Sequence, residues 1–80
     1  MITLQQVENE ISRNVQQWMN TRGASKKFIY TNANMSRDMF DRRLNAGGWT
    51  LPEVVRVARA LGVSTGELVP ATFLTITDAA

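Results

Sequence analysis

The chain contains no cysteine and no histidine. The first absence removes disulfides and thiolate metal sites. The second removes the commonest zinc ligand and the usual general base. No apolar run is long enough to cross a bilayer. The opening, "MITLQQVENE", lacks both a basic n-region and an apolar h-region, so it does not read as a signal peptide. With 80 residues the sequence allows one small core and a single domain. These absences lead to the expectation of a soluble, cytoplasmic protein with no membrane association.

What is present is unevenly distributed. Residues 22–59 hold eight basic and three acidic side chains, a net +5, whereas the rest hold one basic and four acidic, a net −3. A basic middle between acidic ends suggests a patch that meets a polyanion; the plain alternative is scattered surface charge.

Periodicity organises the chain into helices. Leu4, Val7, Ile11, Val15, Trp18 and Met19 recur at spacings of three and four, a helical stripe over about 3–21 with Trp18 in the core. Gly23 suits a left-handed helix end. Ser25 caps a short second helix over "KKFIYTN", with Phe28 and Ile29 expected inside. Asn34 tolerates positive φ and marks a tight turn. Ser36 caps a third helix, with Met35 and Phe40 at the spacing of a hydrophobic staple and Leu44 continuing the buried line. "NAGGW" ends it.

In "TLPEVVRVARALG", Thr50 and Glu53 form a capping box, Leu51, Val54, Val55, Ala58 and Leu61 the apolar face, and Arg56 and Arg59 a solvated face. Trp49 reads as core or a staple onto Val54, with contact to the backbone of a polyanion as the other reading. Ser64 and Glu67 repeat the capping-box signature and predict a short fifth helix. The tail "ATFLTIT" favours a strand, with Phe73 facing one side and Leu74 and Ile76 the other. The expected organisation is a domain over 1–70 and a strand-like tail over 71–80.

Two short helices joined by a tight turn span residues 25–45, the size of a helix-turn-helix. With "NMS" opening the third helix, "DRRLNAG" closing it and "ARALGVSTGELV" following, residues 8–69 resemble the DNA-binding domain of the phage repressor and Cro family, also called XRE-type. Tyr30 stands where that family favours a small residue, Asn34 where it has a turn glycine, and Arg43 where it is often aliphatic.

The resemblance implies an all-α, five-helix repressor-like fold with a C-terminal strand or arm. It also implies a sequence-specific transcriptional regulator of phage or prophage origin, acting in a bacterial cytoplasm at the nucleoid. Its partner would be a double-stranded DNA operator, with no cofactor and no evident small-molecule effector. Side chains near the start of a recognition helix reach base edges. Here these are Arg37, Asp38, Met39, Asp41 and Arg42. Arginine can bond bidentately to guanine, aspartate can accept from cytosine, and a thioether can touch a thymine methyl. Asp38 has a second reading, as a complement to the helix dipole or a brace for Arg42.

Phosphate contacts are expected from Ser25, Lys26 and Lys27, which open the second helix, and from Ser36, Arg43, Asn45, Gly47 and Gly48. Arg43 can instead lie flat, with its stem on the core and its guanidinium at the backbone. Phe73, Leu74 and Ile76 are candidates for a homodimer contact, in solution or only on DNA. Catalysis is not expected: Asp38 and Asp41 are the one close carboxylate pair on a helix, and the arginines beside them are the wrong surroundings for a general acid. A protein-interaction module on the same fold, antitoxin-like and without operator reading, is the alternative function.

Overall fold

Thr3 opens the first helix with a reciprocal cap. Its hydroxyl accepts from the Gln6 amide at 3.1 Å, and the Gln6 side chain accepts from the Thr3 amide at 2.7 Å. In the computed structural model, which describes residues 3–69, this begins α1 (Leu4–Arg22). Gly23 ends it in the left-handed conformation at φ 65°. Ser25 then caps α2 (Lys26–Asn32) by accepting from the Phe28 amide at 3.1 Å. Asn34 makes the turn at φ 56°, the one positive φ outside glycine among the described residues. Ser36 caps α3 (Arg37–Ala46) through the Met39 amide. The Thr50–Glu53 capping box opens α4 (Leu51–Leu61), which Gly62 closes at φ 74°. Each such cap is worth about 1 kcal/mol.

The helices enclose one core. Val7, Ile11, Val15 and Met19 of α1 meet Ile29, Ala33, Phe40, Leu44, Val54, Val57, Ala58, Leu61 and Leu68. Phe40 is fully buried, which contributes roughly 2–3 kcal/mol of transfer free energy. α1 packs on α3 and α4, while α2 packs on α4 and α3. The α2–turn–α3 pair is a helix-turn-helix. Tyr30 is accommodated at their junction: its ring lies tilted at 54° to Phe40, 6.3 Å between centroids, and Trp49 meets the same Phe40 edge-on at 6.3 Å.

The structure corrects several expectations. Phe28 is exposed, because α2 is one short helix with a single inward line, which Ile29 occupies. Leu4 and Leu51 are also exposed, each at the start of its helix and ahead of the packed turns. Trp18 is half-buried under Arg22, whose guanidinium sits 5.4 Å from the ring centroid. Val57 replaces Val55 on the buried face of α4.

Arg56 is not a solvated residue; its Nε donates to the Ala33 carbonyl at 2.8 Å and so fastens α4 to the end of α2. The fifth helix shrinks to a 3-10 turn (Thr65–Glu67), in which Ser64 makes no side-chain cap. Backbone bonds from Glu67 to Ser64 and from Leu68 to Thr65 close it, and Pro70 disfavours helical backbone at the residue before it. The architecture is therefore four α-helices and one 3-10 turn among the described residues, which contain no strand. The strand expected over the tail, with Phe73, Leu74 and Ile76, lies outside the described residues.

Candidate nucleic-acid interface

The packing of α3 decides which of its side chains are free. Phe40 and Leu44, four apart, hold its inner line. At 3.6 residues per turn, Arg37, Asp38, Asp41, Arg42 and Asn45 then fall within an arc of about 140° on the other side. Arg37, Asp38, Arg42 and Asn45 are exposed, and Met39 and Asp41 half-buried. Four of the five expected base-contacting residues therefore share this arc, while Met39 lies about 60° outside it and is half-buried; the two exposed arginines are at most one and a half turns apart.

Ion pairs subdivide this face. Lys26 Nζ reaches Asp41 Oδ1 at 3.3 Å and links the start of α2 to α3. Arg37 Nε lies 3.7 Å from Asp38 Oδ1, with both side chains largely exposed. Asp38 is therefore paired with Arg37 rather than braced against Arg42. Arg42 and Lys27 form no ion pair among the described residues. Exposed pairs of this kind contribute little to stability, so a phosphate or a base edge can displace them. Ser25, Lys26, Lys27 and Ser36 are all exposed, at the two helix starts.

The far end of α3 is organised differently. Arg43 Nε donates to Glu53 Oε1 at 2.9 Å, with the two side chains only 18% and 10% exposed. Burial pushes the Glu53 carboxyl up. The hydrogen bond from Arg43, those from the Thr50 amide and hydroxyl, and the arginine charge outweigh that and hold it below the ordinary glutamate value. The Arg43 carbonyl accepts from both the Gly47 amide at 2.9 Å and the Ser12 hydroxyl at 2.9 Å. Ser12 in turn accepts from Trp49 Nε1 at 2.9 Å. No buried side-chain nitrogen or oxygen among the described residues lacks a partner.

Two residues expected at phosphates are thereby turned inward. Arg43 is engaged through its Nε by Glu53. Gly47 is buried against α1, its amide spent on the helix end. A Cβ there would come within 2.8 Å of Glu8 Oε2 and 2.9 Å of Glu8 Cβ. Asn45 and Gly48 stay exposed beside them.

Sequence reasoning missed Ser12. A serine at the edge of the buried stripe, about 20° past Met19, was the available sign that a polar partner waits across the core. The Arg43–Glu53 pair was half visible, since Glu53 was assigned to a capping box and Arg43 to a position that is often aliphatic.

No helix among the described residues is long and apolar enough to cross a membrane. No family model matches the chain, and no curated protein matches it. Among solved structures, the restriction-modification controller protein C.AhdI from Aeromonas hydrophila has a similar fold. It superposes with a TM-score of 0.70 at 14% identity, covering 76% of this chain and 94% of that one.

Proposed function

We propose that the chain is a sequence-specific, double-stranded-DNA-binding transcriptional regulator whose α3 enters the major groove. The observation that carries this reading is the two-sided construction of α3. One side is locked into the core by Phe40 and Leu44, while the other presents Arg37 and Arg42 beside the exposed lysines that open α2. The fold likeness to a restriction-modification controller supports a regulatory role.

In this proposal Arg37 and Arg42 read guanine edges. Asp38, Met39 and Asp41 modulate that readout, with Asp41 also steadying Lys26. Ser25, Lys26, Lys27, Ser36, Asn45 and Gly48 hold phosphates. Arg43 and Gly47 instead fix the end of α3. One such domain touches few base pairs, so two copies on half-sites about 34–36 Å apart would supply the specificity. A Cro- or repressor-like role in a phage or prophage, in the bacterial cytoplasm, is the finer form of the proposal.

Salt dependence tests it. A protein held by several phosphates loses affinity steeply as salt rises from about 50 to about 300 mM. A duplex bound equally at both, or not at all, would favour a protein-interaction module on this fold instead.

A further inference from the structure

Beside the seam of α1 and α3 opens a cleft of about 340 Å³, lined by Met19 and Leu44 together with Gln16, Asn20 and Lys26. Met19 and Leu44 belong to the core, whereas Gln16, Asn20 and Lys26 are exposed. Gln16 and Asn20 stand four apart on α1 and so share one face of it. Around α3, Asp41 is about 60° from Leu44. The cleft therefore borders the outer arc that carries Arg37 and Arg42.

The donors in this cleft are unspent. Other side-chain amides of α1 have partners: Gln5 Nε2 donates to Asn9 Oδ1 at 3.0 Å, and Asn14 Nδ2 to the Leu68 carbonyl at 2.9 Å. Those of Gln16 and Asn20 have none among the described residues. Lys26 Nζ meets Asp41 Oδ1 at 3.3 Å, which occupies one of its three N–H donors. Among the described residues no carboxylate lines the cleft. Two amides and one ammonium thus offer N–H groups around a single space. That set suits an anion with a single charge and several acceptor oxygens, and a phosphodiester is such an anion.

We infer that this cleft holds one backbone phosphate of the duplex, with Gln16 and Asn20 donating to its oxygens beside the Lys26 ammonium. The inference rests on the DNA-binding reading and adds two residues of α1 to it. The two kinds of donor do different work. Lys26 neutralises the phosphate and releases a counterion. Gln16 and Asn20 fix where the phosphate sits and release none, because they are neutral. Holding one phosphate from α1 as well as from α2 ties the register of α3 in the groove to the body of the fold.

The test uses the full chain and a duplex recovered from a random pool, with affinity measured between about 50 and about 300 mM salt. Joint replacement by Gln16→Ala and Asn20→Ala should weaken binding about tenfold at every salt concentration and leave the slope against salt unchanged. Lys26→Ala should flatten that slope by about one unit. Both α1 positions are exposed and alanine favours a helix, so the melting temperature of the double variant should not fall. Replacing single phosphates by neutral methylphosphonates locates the contact. The double variant and Lys26→Ala should both become less sensitive than the wild type at one and the same phosphate. A double variant that binds as tightly as the wild type, or reduced sensitivity at different phosphates in the two variants, would overturn the inference and leave the DNA-binding reading standing. Absence of duplex binding by the wild type would overturn both.

Discussion

Arg42 and Arg43 are adjacent in sequence, identical in chemistry and opposite in use. Arg42 is exposed and without an ion-pair partner among the described residues, while Arg43 is drawn onto Glu53 at 2.9 Å. One step along a helix rotates a side chain by about 100°, and on α3 that step crosses the edge of the core. Under the proposed function, stability and recognition fall to separate residues of one short helix. Substitutions on its inner edge should act on the fold, and those on its outer arc on the ligand.

The largest expected effect breaks the inner side. Arg43→Ala leaves Glu53 buried without its cation and should lower unfolding free energy by about 3 kcal/mol, read by urea titration. Gly47→Ala should cost about 2 kcal/mol. It forces a Cβ against Glu8 at a backbone φ of 80° that side chains rarely adopt. Both variants should keep their sequence preference at temperatures where they remain folded. If either changes which base pairs are preferred while the fold holds, the division between the two sides fails.

The inner pair also gives a pH signature. The folded value of Glu53 lies below its ordinary value of 4.5, so its stabilisation is complete above that ordinary value. It is lost as pH falls through the lowered folded value. Arg43→Ala removes causes of that lowering, so the acid loss of stability should shrink in that variant. An unchanged acid limb in denaturation at stepped pH would contradict the assignment.

On the outer side, Lys27→Ala should weaken all duplexes alike and flatten the salt slope by about one unit, with no change in melting temperature. This is the smallest effect and the one that separates phosphate holding from base reading.

Local chemistry was legible where one residue decides the outcome. Ser25, Ser36 and Thr50 cap the helices they were expected to cap, and Gly23, Asn34 and Gly62 take the left-handed turns. Burial was legible as a stripe but not at its ends. Leu4 and Leu51 obey the period of their helices, yet each stands in a first turn and stays exposed on an open groove between the two helix starts. Phe28 and Ile29 are both strongly apolar, and only the angle of α2 on α4 decides that Ile29 goes inside.

The outer residues of the candidate site followed from helix phase alone once Phe40 and Leu44 were placed. Its inner edge did not. Arg43 meets Glu53 ten positions away, and Ser12 reaches Trp49 thirty-seven away. Pairings between elements require the fold before they can be seen.

The most direct measurement is selection of bound duplexes from a random pool, carried out in parallel with the wild-type chain and Arg42→Ala. The account predicts a defined consensus for the wild type and loss of preference at a single G·C pair for the variant, a discrimination of about 1–3 kcal/mol. An identical consensus from both proteins, or none from the wild type, would contradict it.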